Sequence, residues 1–236
     1  EHDGQLAIGA LTRESALEAS ELVSLKYPLL LDTAKVIADP LVRNRATVGG
    51  NLAHADPAND HPATMLAYGA QLVARGKHGT RTIAIDDFFT GLFENSMQPG
   101  ELLCEIRIPK PAAGSGGAYL KMERKVGDYA MSAVAVQLSM AGDTVAQVRI
   151  GLTNVNPVPM RAKQAEQALL GKRLSDEALE AAGQAAAREC DPSADLRGSI
   201  EYKRDLTRVL TKRALRAAAA RARAAHAAPE VSGAAV

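Results

Sequence analysis

The feature that most constrains the fold is one stretch of linker composition, which divides the chain into two unlike parts. Residues 109–117 read Pro-Lys-Pro-Ala-Ala-Gly-Ser-Gly-Gly, a composition typical of an interdomain connection. Before it, short strand and helix patterns alternate; after it, three strand patterns precede long helical ones. We therefore expect an α+β protein with domains at 1–112 and 113–228 and a disordered tail at 229–236.

Composition excludes several classes of function. The 236 residues include 28 basic and 27 acidic side chains, so no global charge favours nucleic acid or a membrane surface. Aromatic residues make up 3%, too few for a base-stacking platform, and no apolar run approaches the roughly 20 residues of a membrane span. Cys104 and Cys190 cannot form a disulfide framework, which favours the cytoplasm. Because residue 1 is Glu1 rather than Met, we expect a fragment or processed product.

Local signals predict the elements of the first part. Residues 6–11 read as a strand, and Thr12 follows as the cap of a helix. Pro28 begins a second helix, which Asp39-Pro40 ends near residue 37. The remaining expected elements are a glycine-rich turn at 49–50, a helix over 63–67, a hairpin of strands 71–74 and 81–85, and a strand over 102–108.

The second part predicts a sheet followed by helices. Strands are expected over 118–123, 133–140 and 145–152, with Ala141-Gly142-Asp143 as the turn between the last two. Ser175 caps a helix that runs to about residue 189, and a further helix covers about 201–225. That last helix is basic, but an apolar stripe along it favours packing against the protein over nucleic-acid or lipid binding. The stripe consists of Leu206, Val209, Leu210 and Ala214.

One segment carries a recognisable chemistry. In Thr47-Val48-Gly49-Gly50-Asn51, consecutive backbone N–H groups have no bulky side chains in the way, so they could form a nest for a phosphate. Nine residues later, Asp60 could accept hydrogen bonds from sugar or polyol hydroxyls. Taken alone, a glycine pair is more often a tight turn between two elements.

The longer string over 42–60 resembles the second flavin motif of the FAD subunits of molybdenum hydroxylases, a family that includes xanthine dehydrogenase and aerobic carbon monoxide dehydrogenase. Residues 6–12, 100–109 and 121–130 also resemble that family. The resemblance implies the C-terminal part of a PCMH-type FAD-binding domain, followed by a CO-dehydrogenase-flavoprotein C-terminal domain with a three-stranded antiparallel sheet and helices. The family's first motif, Ala-Gly-Gly-x-Ser, would precede Leu6, so this sequence carries half of the expected diphosphate cradle.

The resemblance also implies which side chains contact FAD. The first five would hold the diphosphate and neighbouring groups, and the next two would make polar contacts. The leucine would lie near the adenine or ring system, and the lysine would reach the cofactor. The last two would lie beside the isoalloxazine ring, whose face the tyrosine would shield. In chain order the residues are Thr47, Val48, Gly49, Gly50, Asn51, His54, Asp60, Leu103, Lys121, Asp128 and Tyr129.

The implied function is electron transfer within a complex. A large molybdopterin subunit would oxidise the substrate, a small 2Fe-2S subunit would relay electrons, and the flavin would pass them to a quinone-type acceptor. The complex is expected to be a dimer of heterotrimers in the cytoplasm, where it could lie at the inner face of the membrane without inserting. No catalytic residue or metal ligand is expected in this chain, although His54, Asp56, Asp60 and His61 cluster in the sequence.

Two alternatives stay open. The complex could oxidise nicotine, isoquinoline, an aldehyde or an aromatic acyl-CoA instead of carbon monoxide, since this subunit would not touch the substrate. Residues 126–129, Val-Gly-Asp-Tyr, favour the carbon monoxide type. The second alternative is an assembly module that packs against partners without a flavin.

Overall fold

The computed structural model describes residue 1 and residues 4–227, which form two four-stranded sheets and one two-stranded sheet, with helices between and beside them. The strands are β1 (Gln5–Gly9), β2 (Gln71–Gly76), β3 (Gly79–Ala84), β4 (Phe89–Gly91), β5 (Glu94–Asn95), β6 (Leu102–Pro109), β7 (Ser115–Met122), β8 (Ser132–Ala141), β9 (Thr144–Thr153) and β10 (Met160–Arg161). The helices are α1 (Glu14–Glu18), α2 (Glu21–Lys26), α3 (Pro28–Val36), α4 (Pro40–Arg43), α5 (Val48–His54), α6 (Asp60–Tyr68), α7 (Lys163–Leu169), α8 (Asp176–Glu189) and α9 (Ile200–Ala227).

The first sheet has the strand order β1-β6-β2-β3, and all of its pairs are antiparallel. Alternate residues form its buried face: Ile8 lies opposite Ile106, which in turn lies opposite Leu72. All three are at most 4% exposed, as expected for the core-facing positions of alternating strands. The predicted hairpin between β2 and β3 has a two-residue loop, Lys77-His78.

The second sheet has the order β10-β9-β8-β7 and contains the three strands expected from the sequence. The turn between β8 and β9 places Gly142 at φ +61°, a conformation that glycine adopts without strain. The fourth strand, β10, is only two residues long and pairs with Leu152 and Gly151. A strand this short shows no alternation, which is why the sequence did not predict it.

Helix α6 lies between the two sheets, and all nine of its residues are buried. At Gly151 of β9 the helix backbone comes so close that a Cβ there would lie 2.1 Å from the Ala63 carbonyl oxygen. Burial on every side explains why this helix lacks a polar face, and the structure extends it well beyond the predicted 63–67. Its first residue, Asp60, lies near the edge strand β7.

Helix α9 covers β7 and connects it to the first part of the chain. The helix approaches Gly116 so closely that a Cβ there would lie 2.0 Å from the Ala218 carbonyl oxygen. Arg221 donates to the Gly117 carbonyl at 2.6 Å and to Asp32 Oδ1 of α3 at 3.1 Å. The basic helix therefore packs on the protein, as its apolar stripe predicts. Among residues 1 and 4–227, no helix is long and apolar enough to cross a membrane.

Several predicted boundaries differ from the structure. Thr12 does not cap α1; the N-cap is Arg13, which makes no side-chain capping bond. The proline after Asp39 ends α3 as expected but also begins α4, whose first turn is capped by the Asp39 carboxylate at 3.0 Å from the Val42 nitrogen. The short helices α2 and α7 were not predicted. The expected tail at 229–236 lies outside the described residues.

Candidate functional site

The glycine pair at 49–50 lies inside a short helix, α5, rather than in a turn. Thr47 is the N-cap, and its side-chain oxygen accepts a hydrogen bond from the Gly50 N–H at 3.1 Å. The Asn51 N–H donates to the Thr47 carbonyl at 2.9 Å and starts the helical ladder. The predicted turn is wrong because the cap and the surrounding packing stabilise a helix that two glycines disfavour by propensity.

The amides at the start of α5 are also used within the protein. The Val48 N–H donates to the Thr12 carbonyl at 3.0 Å, and the Gly49 N–H donates to the Ala10 carbonyl at 2.9 Å. A Cβ on Gly49 would lie 2.5 Å from the Ala10 Cβ, so only glycine lets α5 approach the end of β1 this closely. The predicted run of free amide donors is therefore wrong, and the first glycine serves close packing.

A cavity of about 310 Å³ opens beside α5, within the size range of small-molecule sites. Its walls come from the end of α3, from α4 and α5, from the start of α6, from β7 and from the loop after β7. The lining residues are Ile37, Ala38, Val42, Ala46, Asn51, Asn59, Asp60, Lys121, Gly127, Asp128 and Tyr129. Five predicted site residues therefore meet here, although they come from segments that are far apart in the sequence.

Asp60 and Lys121 form a buried ion pair at this cavity. The Lys121 Nζ donates to Asp60 Oδ2 at 3.0 Å and to the Val36 carbonyl, at the end of α3, at 3.0 Å. The Tyr119 hydroxyl donates to the other oxygen, Asp60 Oδ1, at 2.6 Å. The carboxylate expected to meet a polyol is thus already held at both oxygens, each of which keeps a second lone pair for a ligand.

Burial and hydrogen bonding act in opposite directions on these groups. Burial raises the pKa of the Asp60 carboxyl, while the Lys121 charge and the Tyr119 hydroxyl favour its ionised form. Burial, followed by the charge of Asp60 and the hydrogen bond to it, raises the pKa of Tyr119 well above its ordinary value. Tyr119 therefore remains a protonated donor at neutral pH.

The loop after β7 forms the open rim of the cavity. Gly127 has φ +88°, and a Cβ there would lie 3.1 Å from the carbonyl carbon and oxygen of Ala38, so the loop packs directly on the end of α3. Tyr129 follows on this loop and is 46% exposed. Burial and then the charges of Asp56 and Asp60 raise the pKa of Tyr129. The rim thus offers a half-exposed aromatic ring beside a charged interior.

Six predicted site residues lie outside the cavity lining. Four of them, residues 47–50, directly precede Asn51 at the start of α5, and the other two are His54 and Leu103. The His54 ring packs against Phe93, with 5.2 Å between ring centroids, and its Nδ1 lies 3.4 Å from Asn59 Nδ2. Leu103 on β6 packs against the core of the first part. The structure therefore does not bring either side chain to Asp60 and Lys121.

The histidine and aspartate cluster of the sequence does not converge in space. His61 is fully buried, and its Nε2 lies 2.7 Å from Glu14 Oε2, away from the packing of His54 against Phe93. In the described part of the chain, no group of three or more His, Cys, Asp or Glu side chains is arranged to hold a metal ion.

Comparison with known families covers almost all of the chain. Residues 1–111 match the FAD binding domain in molybdopterin dehydrogenase, and residues 117–218 match the CO dehydrogenase flavoprotein C-terminal domain. The carbon monoxide dehydrogenase medium chain of Hydrogenophaga pseudoflava is 45% identical over 94% of this chain and 77% of the relative. This chain belongs to the FAD-binding medium subunits of the molybdenum hydroxylases.

Another medium subunit and a solved structure agree with this. The carbon monoxide dehydrogenase medium chain of Afipia carboxidovorans is 41% identical over 94% of this chain and 77% of the relative. The structure of carbon monoxide dehydrogenase from Hydrogenophaga pseudoflava that lacks the Mo-pyranopterin moiety matches with a TM-score of 0.92, at 48% identity over 94% of this chain and 77% of that one. The predicted family, α+β fold, oxidoreductase class and FAD cofactor are confirmed.

The cavity of this medium subunit has acceptors that suit FAD. Asn51 Oδ1 and Asp128 Oδ2 are buried and have no hydrogen-bond partner within residues 1 and 4–227. A buried acceptor without a donor costs about 1–3 kcal/mol, so a ligand with N–H and O–H groups would relieve it. FAD carries both kinds of donor, on its ring and on its polyol chain. The residues present therefore fit the cofactor.

Sequence reasoning missed Tyr119, a residue that donates to the carboxylate of this site. It lies two positions before Lys121 on β7, so both side chains point to the same face of the sheet. Period-2 spacing from the predicted lysine was the signal that could have found it. The tyrosine does not line the cavity, but it holds a carboxylate that does.

Proposed function

We propose that this chain is the medium subunit of an aerobic carbon monoxide dehydrogenase, where it holds FAD between an iron–sulfur subunit and a quinone-type acceptor. The observation that carries the proposal is the meeting of five side chains in one cavity: Asn51, Asp60, Lys121, Asp128 and Tyr129. The identity to carbon monoxide dehydrogenase medium chains supports the carbon monoxide type.

Each side chain has a role that follows from its surroundings. Asn51 and Asp128 accept hydrogen bonds from the cofactor, because among the described residues one buried oxygen of each has no hydrogen-bond partner. Tyr129 covers one ring face with a flat apolar surface and keeps water away from it. Lys121 places a positive charge in the cavity wall, where it favours electron-rich states of a ligand. Bound FAD would supply the exchange of two electrons between donor and acceptor.

The diphosphate would lie beside the start of α5. Residues 47–50 adjoin the cavity, since the residues on either side of them line it. The backbone of Gly50 is exposed and has no side chain, so a charged group can approach it closely. The contacts proposed for His54 and Leu103 rest on family position alone, and they would involve parts of FAD that extend beyond the cavity.

The metal centres of the complex would belong to partner subunits. An iron–sulfur cluster requires several cysteine ligands, whereas this chain has two cysteines, Cys104 on β6 and the buried Cys190. We place the molybdenum cofactor in a large subunit and the 2Fe-2S clusters in a small one, in a dimer of heterotrimers. Two free thiols also support a cytoplasmic location.

The substrate of the complex is the least constrained part of the proposal. None of the roles above involves a substrate, so a nicotine, isoquinoline, aldehyde or aromatic acyl-CoA hydroxylase would use the same side chains. The segment 126–129 and the relatives with carbon monoxide in their names support carbon monoxide.

Cofactor binding can be tested with two matched tyrosines. The purified full-length protein should show flavin absorbance bands and should quench FAD fluorescence on titration. Tyr129→Ala should weaken FAD binding about tenfold or more, because it removes the aromatic surface at the rim. Tyr202→Ala is the control, since Tyr202 on α9 is exposed to nearly the same extent, 45% against 46%.

Each outcome decides between the alternatives. A colourless protein that does not bind added FAD would favour the assembly module. Equal FAD affinity in the Tyr129→Ala variant and the parent would place the flavin elsewhere. For the substrate, carbon-monoxide-dependent reduction of a dye by the complete complex is expected, and reduction by nicotine or an aldehyde alone would refute the carbon monoxide type.

A further inference from the structure

Asp60 is held by two donors from one strand. Tyr119 and Lys121 lie on the same face of β7, and each donates to a different oxygen of the Asp60 carboxylate, at 2.6 Å and 3.0 Å. Asp60 and Lys121 line the cavity, whereas Tyr119 lies behind them and is 4% exposed. A side chain that cannot itself reach a ligand therefore fixes the orientation of one that can.

The tyrosine is itself held from two sides. Its hydroxyl lies 3.2 Å from Thr153 Oγ1 of β9, and its backbone N–H donates to Asp32 Oδ2 at 3.3 Å. A carboxylate only accepts hydrogen bonds, so the single proton of the Tyr119 hydroxyl goes to Asp60 and Thr153 must donate to the tyrosine oxygen. The direction of this chain of hydrogen bonds is thus fixed from Thr153 to Asp60.

The charged groups around the Asp60 carboxylate make the hydrogen bond from Tyr119 important. Burial favours the neutral form of Asp60, and the hydrogen bond from Tyr119 favours the ionised form. Without that bond Asp60 becomes easier to protonate, and within the described part of the chain Lys121 then keeps only Glu123 Oε2, at 3.4 Å, as a charged partner. The other charged or titratable groups facing this cluster from neighbouring segments are Asp32, Asp56, His61 with its partner Glu14, Asp128, Tyr129, Arg197 and Arg221.

We propose that Tyr119 is a positioning residue, which holds the Asp60 carboxylate against Lys121 and thereby sets the charge that the cavity presents to the cofactor. The inference rests on the proposed function, because it takes FAD to be the ligand of this cavity. It assigns a role to a residue that makes no contact with that ligand. The role is visible as a change in pH dependence rather than as a loss of fold.

The test combines a titration of Asp60 with FAD binding. In Tyr119→Phe, the titration of the Asp60 carboxyl, followed by carbon NMR in the absence of flavin, should move to higher pH. The loss of one hydrogen bond to the charged carboxylate should raise its pKa by about one to two. The pH midpoint for the change in FAD affinity should move upward by the same amount. Thr153→Val should shift both in the same direction but by less, because Tyr119 still donates.

A second buried tyrosine provides the control. Tyr68 is 7% exposed, and its hydroxyl accepts a hydrogen bond from the Leu30 N–H at 3.3 Å, with no contact to Asp60. Tyr68→Phe should leave the Asp60 titration and the pH midpoint of FAD binding unchanged, whatever its effect on stability. Fluorescence titration with FAD at a series of pH values measures the affinity in all variants.

Three results would overturn the inference. One is a Tyr119→Phe variant that melts at lower temperature but titrates like the parent. Another is a shifted Asp60 titration that FAD affinity does not follow, and the third is an equal shift in Tyr68→Phe. Failure of the proposed function looks different: the parent would not bind FAD at any pH, while the Asp60 titration would still report what Tyr119 does.

Discussion

The substitution Gly49→Ala separates two explanations of the glycine pair. If glycine serves close packing, alanine should destabilise the fold whether or not a ligand is present. If glycine serves the approach of a phosphate, alanine should leave the fold intact and weaken binding alone. In the structure the added Cβ would lie 2.5 Å from the Ala10 Cβ and 2.7 Å from the Ala10 Cα and carbonyl oxygen.

The size of the effect follows from these distances. Carbon atoms pack at about 3.5–4.0 Å, so the backbone must move by about 1 Å, which places the cost near the upper part of the 1–3 kcal/mol typical of overpacking. The movement also weakens the hydrogen bond from Gly49 to Ala10, which stabilises the fold by about 1 kcal/mol. The higher helix propensity of alanine offsets this by about 1 kcal/mol. We expect a net loss of about 2–3 kcal/mol, or roughly 5–10 °C in Tm.

Urea and thermal unfolding of the flavin-free protein measure this loss. Gly9→Ala is the matched control, because a Cβ on that strand glycine meets only Thr12 Oγ1, at an ordinary 3.7 Å. The control should change stability by less than about 1 kcal/mol. A Gly49→Ala variant as stable as its parent but deficient in FAD binding would refute the packing argument and restore the phosphate nest.

Two further substitutions test the frame around the site. Gly116→Ala would place a Cβ 2.0 Å from the Ala218 carbonyl oxygen and should cost at least about 3 kcal/mol in urea unfolding; near-parental stability would contradict the contact with α9. Although burial opposes it, hydrogen bonds and charges from Arg149 and Arg161 lower the pKa of Asp86 from 3.8. Asp86→Asn should therefore lower stability at neutral pH, with a difference from the parent that shrinks below about pH 4; a constant difference would refute this.

The parts of the fold that local signals determine could be predicted from the sequence. The hairpins at 77–78 and 142–143 depend on turn residues next to alternating strands, and Ser175 caps α8 as expected, accepting from the Ala178 nitrogen at 3.2 Å. These elements need no knowledge of distant contacts. The same holds for α3, which begins at Pro28 as predicted.

The parts that depend on distant contacts were wrong or absent. Helix α5 contains two glycines. It forms because Thr47 caps it and because carbonyl oxygens of the segment after β1 accept hydrogen bonds from its first N–H groups. Tyr119 acts on Asp60, which is 59 positions earlier, so no local pattern connects them. Family resemblance singled out Asn51, Asp60 and Lys121, which the structure brings to one cavity, but it did not show that the carboxylate is already held by two donors.

The packing of α9 on β7 has a consequence for the order of folding. Strand β7 carries Lys121, and it is held in place by a helix from much later in the chain: Arg221 donates to the Gly117 carbonyl across 104 positions. Contacts between residues this far apart in the sequence form slowly, because the intervening chain must first lose its freedom. The wall that contains Lys121 therefore becomes rigid only after α9 has docked, late in folding.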